Sequence, residues 1–238
     1  MISTNLPRPL LLGHRGARRA APENSLSAFE LALLHGCDGF EFDLRRSADG
    51  RCICCHDENF RKKQIAANSY EALQAALKEK KRVQHGLLPS LDDVISKFGG
   101  RAFLDIELKV PGIETCVADA VKNLPTESYV VSSFLPQILQ IIRRDAPSVP
   151  LGFIFDRNER RRDWESLPCE AVIPHFKLAT SKLVEEIHAA EKKVFVWTVN
   201  QKREMQRFAE MGVDGIISDN TELLSRTFHV RRQVVRRS

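Results

Sequence analysis

Apolar residues fall in short uninterrupted runs, and amphipathic stretches separate them. Leu10-Leu11-Leu12 is the first run, bounded by Pro9 and Gly13. From Leu26 the apolar spacing changes to that of a helix, through Phe29, Leu31, Ala32, Leu33 and Leu34. Asn24 or Ser25 can cap its start by accepting a backbone N–H, and Gly36 suits the left-handed residue that ends it. The second run covers 39–44. From residue 88 onward the alternation is regular. Helices are predicted over 91–95 (capped by Ser90), 113–124, 136–144, near Trp164, and over 181–190, 201–211 and 221–228. Strands are predicted over 102–108, 128–132, 150–155, 171–174, 193–199 and 214–218. Runs that are apolar throughout are what parallel strands covered on both faces require. Eight such strands, starting near 10, 39, 102, 128, 150, 171, 193 and 214, predict an α/β fold. At 238 residues it is a (β/α)8 TIM barrel, one domain over 1–238. An open doubly wound sheet is the alternative, but no glycine-rich dinucleotide fingerprint follows the first run.

Residues 45–89 break the rhythm. Asp49-Gly50 signals a turn, 52–55 a short strand delivering His56-Asp57, and 69–80 a helix with Tyr70, Leu73, Ala76 and Leu77 on one face. That is too little apolar surface to fold alone, so the stretch is a small insertion after the second strand, a loop or lid.

Polar residues gather at the C-terminal ends of the predicted strands, where this barrel carries its chemistry. His14 and Arg15 end the first. Glu41 and Asp43 share a face of the second, two residues apart, and Glu107 and Lys109 do so on the third. If these faces point into the barrel, three carboxylates converge and need a counter-charge, which a hard divalent cation with oxygen ligands supplies. His14 and His56 form a candidate acid–base pair, since an imidazole titrates near neutral pH. Arg15 and Lys109 are fixed cations suited to phosphate oxygens. His175, in Pro174-His175-Phe176, either lines the pocket or finishes a strand. Trp197 packs in the barrel with its ring edge at the mouth, where it can touch an organic substrate.

The net charge of +5 is mild, and much of the excess lies in 157–162 and in the tail from Arg231 to Arg237. The tail is short and lacks interleaved aromatics, which argues against a nucleic-acid partner. Six cysteines, Cys37, Cys52, Cys54, Cys55, Cys116 and Cys169, form no zinc arrangement of paired C-x-x-C motifs and read as free thiols in a reducing compartment. No stretch has signal-peptide character and none reaches membrane-spanning length, so a cytoplasmic location without stable membrane insertion is expected.

Taken in order, His14-Arg15-Gly16, Pro22-Glu23-Asn24-Ser25, Glu41-Phe42-Asp43, Asp49-Gly50, His56-Asp57, Pro89-Ser90-Leu91-Asp92-Asp93, Ile106-Glu107-Leu108-Lys109, Trp197-Thr198-Val199-Asn200 and Gly212-Val213-Asp214-Gly215-Ile216-Ile217-Ser218-Asp219 resemble the glycerophosphodiester phosphodiesterase family over nearly the whole chain. The resemblance implies a TIM barrel and a metal-dependent phosphoric diester hydrolase of lipid and glycerol metabolism. Glu41, Asp43 and Glu107 would hold one divalent cation, Mg²⁺ or Ca²⁺. His14 and His56 would be the acid–base pair, and Arg15 and Lys109, with His175 and Trp197, would contact substrate. The reaction would split a small-molecule glycerophosphodiester, such as glycerophosphocholine, into glycerol 3-phosphate and an alcohol. Members commonly follow His-Asp with Leu and then Arg-Thr-Thr; Glu58-Asn59-Phe60-Arg61-Lys62-Lys63 stands here, which leaves head-group preference open. A lysophospholipid substrate met at a membrane, or a non-catalytic barrel that binds a phosphorylated metabolite, are the other readings.

Overall fold

The computed structural model describes residues 8–78 and 88–229, with only the backbone at residue 78. The basic tail, Lys80, Lys81 and His85 lie outside the described residues. Eight parallel strands close into a ring: β1 (Leu10–His14), β2 (Gly39–Arg46), β6 (Phe103–Leu108), β7 (Tyr129–Ser133), β8 (Leu151–Phe155), β9 (Ala171–Pro174), β10 (Lys193–Val196) and β11 (Gly215–Ser218). Closure is made by β1, which pairs with β11 on one side (Leu10 opposite Gly215) and β2 on the other (Leu12 opposite Gly39). The helices α1 (Leu26–Leu34), α3 (Leu91–Phe98), α4 (Glu114–Val121), α5 (Pro136–Asp145), α6 (Ser181–Ala189) and α7 (Lys202–Glu210) lie between strands, and α8 (Thr221–Phe228) follows β11. Between β8 and β9, where a helix near Trp164 is expected, only two 3-10 turns form, Asn158–Arg160 and Asp163–Glu165. This is the TIM barrel expected from the runs of apolar residues.

Two apolar layers explain why the strands are apolar on both faces. Leu12, Phe103, Val130, Ile173, Phe195 and Ile217 pack together inside the ring and fill its lower part. The alternate residues, among them Phe40, Phe42, Leu104, Ile106 and Val131, pack outward against the helices. Phe29 of α1 stacks on Phe40 with ring centroids 4.3 Å apart, and Phe98 of α3 meets Phe40 edge-on. Each such side chain contributes about 1.5–3 kcal/mol by leaving water. Gly39 begins β2 because β6 runs against it: a Cβ there would lie 1.8 Å from the carbonyl oxygen of Phe103.

The helix starts follow their caps. Ser25 accepts from the N–H of Ala28, so of the two candidates Ser25 is the cap of α1. Ser90 and Asp93 form a reciprocal capping box on α3. Gly36 takes the positive φ (+95°) expected after α1.

The insertion is small, as expected. β3 (Cys52–Cys54) runs antiparallel to the end of β2, outside the ring, with Cys52 opposite Arg46. A two-stranded hairpin, β4 (Asn59–Phe60) and β5 (Lys63–Gln64), follows, then α2 (Tyr70–Lys78). Leu73 and Leu77 of α2 pack with Ile53, Ile65 and Leu88 into a satellite core. Among the described residues no helix is long and apolar enough to cross a membrane.

Candidate active site

The C-terminal rim of the ring surrounds a cavity of about 210 Å³. One wall carries His14, Arg15, Glu41, His56, Glu107 and Lys109. The other is Phe134, Ile154, Ile173, Trp197 and Ile217, with Asp156 at its edge. The polar wall arises from strand alternation. Residues 41 and 43 of β2 and 105 and 107 of β6 sit in register, Glu41 opposite Asp105 and Asp43 opposite Glu107. Side chains two apart on a strand share a face, so four carboxylates stack on the inner face of two adjacent strands.

The cluster is buried: Glu41, Asp43, Asp105 and Glu107 are at most 7% exposed. Lys109 Nζ lies 2.7 Å from Glu107 Oε1 and 3.5 Å from Asp43 Oδ1. Arg15 Nε lies 3.2 Å from Asp43 Oδ2, and the Arg15 backbone N–H donates to Glu41 Oε2 at 2.9 Å. Asp43 also accepts from Asn24 Nδ2 at 2.8 Å, while its own N–H donates to Asn24 Oδ1. Burial would raise the Asp43 carboxyl, but Lys109, Arg15 and the Asn24 hydrogen bond hold it below the usual range. For Glu41, burial, with Asp43 and Glu107 beside it, outweighs the pull of Arg15 and pushes it well up. Burial and Asp43 raise Glu107 to about 8 against the pull of Lys109, and burial raises Asp105 to about 7.

These residues fit a divalent cation. Glu41, Asp43 and Glu107 each offer an oxygen within 4.8 Å of the other two. Glu41 Oε1 and Asp105 Oδ2 are buried with no hydrogen-bond partner among the described residues. The donors are all oxygen, as a hard cation prefers. Four carboxylates face two fixed cations, Arg15 and Lys109, which leaves a deficit that a divalent ion would fill.

His14 ends β1 and is held from behind. Its Nδ1 lies 2.7 Å from Asp219 Oδ1, and its Nε2 lies 3.9 Å from Glu41 Oε2. A carboxylate at Nδ1 places the proton there and leaves Nε2 able to accept. Burial lowers the His14 imidazole, outweighing the Asp219 hydrogen bond. Asp219 is itself fixed by Asn200, whose Nδ2 donates to Oδ2 at 2.7 Å and whose Oδ1 accepts the Asp219 N–H. Burial would raise Asp219, but the His14 and Asn200 hydrogen bonds and Arg18 bring it down to about 2. The turn after β1 that presents Arg15 needs Gly16: its φ is +77°, and a Cβ would lie 2.6 Å from the Ala28 carbonyl carbon.

His56 reaches the cavity from the insertion, just past β3. Its Nδ1 lies 2.8 Å from Asp57 Oδ1, and its carbonyl accepts from Arg45 Nε at 2.7 Å. Trp197 faces the cavity with its indole N–H donating to the Ile173 carbonyl at 3.0 Å, and Phe134 packs edge-on against it at 5.5 Å. Lys109 Nζ sits 5.5 Å from the Phe134 centroid. His175 stands apart from the cavity wall, its ring edge-on to Trp197 at 5.3 Å.

The structure thus brings together His14, Arg15, Glu41, Asp43, His56, Glu107, Lys109 and Trp197. Asp105, Asp219, Asn24 and Phe134 complete the surroundings; Asn24 and Asp219 stand in the motifs of the resemblance, but the sequence alone gives none of the four a role in the site. The signal for Asp105 was available, since it lies two residues before Glu107 on the same strand.

A parallel β/α barrel whose rim combines buried carboxylates, fixed cations and two imidazoles defines a barrel hydrolase for phosphate esters. The family model described as the glycerophosphoryl diester phosphodiesterase family matches residues 14–223. A glycerophosphodiester phosphodiesterase from Caldanaerobacter subterraneus is 31% identical over 234 residues, covering 91% of this chain and 96% of that one. Another from Bacillus altitudinis is 29% identical, covering 88% and 94%. Among solved structures, an Oleispira antarctica phosphodiesterase in complex with the product sn-glycerol-3-phosphate superposes with a TM-score of 0.78 at 24% identity, covering 92% and 96%. A glycerophosphodiester phosphodiesterase from Thermotoga maritima superposes with 0.76 at 23% identity, covering 90% and 96%. At these identities the two structures show the fold alone. The chain belongs to the glycerophosphoryl diester phosphodiesterase family and is a phosphoric diester hydrolase.

Proposed function

We propose that this chain, acting as one barrel unit in the cytoplasm, hydrolyses small glycerophosphodiesters such as glycerophosphocholine to glycerol 3-phosphate and an alcohol, and needs a divalent cation, Mg²⁺ or Ca²⁺. The observation that carries this reading is the convergence of Glu41, Asp43 and Glu107 beside His14, Arg15 and Lys109 in one cavity. The Caldanaerobacter relative, a glycerophosphodiester phosphodiesterase 31% identical to this chain, supports the substrate class.

Glu41, Asp43 and Glu107 would hold the cation, which supplies Lewis-acid polarisation of a phosphoryl oxygen and eases loss of a proton from the attacking hydroxyl or water. Arg15 and Lys109 sit where they can pair with phosphate oxygens and offset the charge that grows on them in the transition state. Both are held by carboxylates, so their positions are set before substrate arrives. His14, neutral through burial and with Nε2 open, takes the proton of the attacking oxygen. His56, at the mouth, gives a proton to the departing alcohol. Trp197 and Phe134 present an apolar wall for the carbon skeleton of the diester. His175 supports the ring of Trp197 rather than touching substrate.

The test is release of glycerol 3-phosphate from glycerophosphocholine by the purified protein, with chelator and then with Mg²⁺ or Ca²⁺ restored. Cation-dependent release is expected. Equal rates in chelator would overturn the role of the carboxylate cluster, and no release under any condition would overturn the substrate.

A further inference from the structure

Cys52 and Cys116 lie outside the cavity and have no part in the reaction. Cys52 opens β3 and is 2% exposed; Cys116 sits in the first turn of α4 and is exposed. They are 64 residues apart in sequence, yet their Sγ atoms are 2.9 Å apart. A covalent S–S bond is about 2.05 Å long, so only about 0.9 Å separates the thiol contact from a bond. Both residues line an open surface recess of about 250 Å³ with Asp49, Arg51 and Asp92, which admits a small reagent.

We propose that Cys52 and Cys116 are a disulfide-forming pair that reversibly tethers β3 to α4 when the protein meets a small-molecule disulfide oxidant. Cys116 reacts first because it is exposed. Its thiolate attacks one sulfur of oxidised glutathione; the glutathione S–S bond breaks, a mixed disulfide forms, and the first glutathione leaves with the proton Cys116 gave up. Cys52 then attacks the Cys116 sulfur. The Cys52–Cys116 bond forms, the mixed disulfide breaks, and the second glutathione leaves with the Cys52 proton. Two protein thiols are oxidised and one glutathione disulfide is reduced to two thiols. Burial, with Cys116 beside it, pushes the Cys52 thiol up, so ring closure is the slower step. The tether joins the insertion that delivers His56 to the outer helix layer, and it constrains the unfolded chain.

The experiment treats the reduced full chain with oxidised glutathione, blocks remaining thiols, and maps peptides without reductant. A peptide linking Cys52 to Cys116 is expected, reversed by dithiothreitol, with Tm raised by about 5–10 °C. Cys116→Ser, on the surface and free of packing risk, is expected to lose both the link and the Tm rise, and Cys52→Ala to behave alike. Glutathione retained on Cys116 without a link, a link to any other cysteine, or both thiols still open to the blocking reagent would each overturn the proposal. A Cys52–Cys116 link that leaves Tm unchanged would overturn the tether.

Discussion

Nδ1 of His14 and Oδ1 of Asp219 lie 2.7 Å apart across the seam where β1 meets β11, although 205 residues separate them in sequence. The contact sets the His14 tautomer. Asp219→Asn would place a neutral amide there, which can offer its own N–H to Nδ1 and move the imidazole proton to Nε2. The base would then face the cavity with the wrong nitrogen protonated. We expect kcat to fall by about 10²–10⁴ with KM within a few-fold, and Tm to fall only slightly. Asp219 is a positioning residue, so the readout that separates this role from a structural one is the split between kcat and KM. A variant within five-fold of wild-type kcat would sink it.

Glu41→Gln tests the cation site by a change of sign. In the cation-free protein the substitution removes a charge that burial and its neighbours oppose, so Tm is expected to hold or rise. Added Mg²⁺ or Ca²⁺ at about 100 times its dissociation constant stabilises a binding protein by roughly 2.7 kcal/mol, which for a chain of this size is a rise of about 5–10 °C. Wild type is expected to show that rise, and Glu41→Gln to lose most of it together with activity. Equal cation-induced shifts in the two proteins would count against Glu41 as a ligand.

Asn24 connects the turn after β1 to the carboxylate cluster. It is 3% exposed and exchanges two hydrogen bonds with Asp43, one to its carboxylate and one from its N–H. Asn24→Ala leaves the Asp43 N–H without its partner and its carboxylate with Arg15 and Lys109 alone, at a cost of about 1–3 kcal/mol. It is expected to weaken cation affinity about 10–100-fold, the usual consequence of losing support behind a ligand. Asn24 has φ +53°, so Asn24→Gly is the companion variant that removes the side chain without added backbone strain. Isothermal titration with the cation decides the point; affinity unchanged in both variants would dissociate Asn24 from the site.

The barrel was legible because parallel strands covered on both faces are apolar without interruption, and few other folds require eight of them. The pairs Glu41/Asp43 and Glu107/Lys109 were legible for a local reason, since spacing of two on a strand fixes a shared face. Asn24 and Asp219 were not, because their roles are set by distant partners. Asn24 read equally well as a helix cap, and only the fold shows Ser25 taking that place while Asn24 turns to Asp43. The strand expected over 193–199 is shorter in the fold: β10 ends at Val196, after which Trp197 keeps one bridge to His175 and the chain turns to pack Val199 in the core. The β4–β5 hairpin has only two residues a side, Asn59-Phe60 and Lys63-Gln64, too short for alternation to reveal it.

Asp105 lies below Glu107 on β6, accepts from Ser132 Oγ at 2.5 Å through Oδ1, and leaves Oδ2 without a partner among the described residues. Its carboxyl sits at about 7 when folded and near 3.9 when unfolded. Between those values the folded state keeps a proton that the unfolded state has lost. This contribution to stability is therefore complete below about pH 4 and is lost as pH rises through about 7. Asp105→Asn keeps the Ser132 bond and removes the titration. In chelator, its Tm is expected to exceed wild type at pH 8 by about 8–17 °C, with the gap closing toward pH 4. A gap that is constant with pH would show that Asp105 does not titrate in this range.

The two imidazoles are expected to differ in a way that the leaving group exposes. His14→Ala and His56→Ala should each lower the rate on glycerophosphocholine by about 10²–10⁴. An alcohol such as choline departs poorly as an alkoxide and needs the proton that His56 supplies. A p-nitrophenolate leaves without one. With the p-nitrophenyl ester of glycerol phosphate as substrate, His56→Ala should therefore recover most of its activity, while His14→Ala should remain impaired because the attacking oxygen still has a proton to lose. Recovery in His14→Ala instead would exchange the two roles. Equal losses on both substrates would show that neither imidazole protonates the leaving group, and would leave His56 only a part in binding.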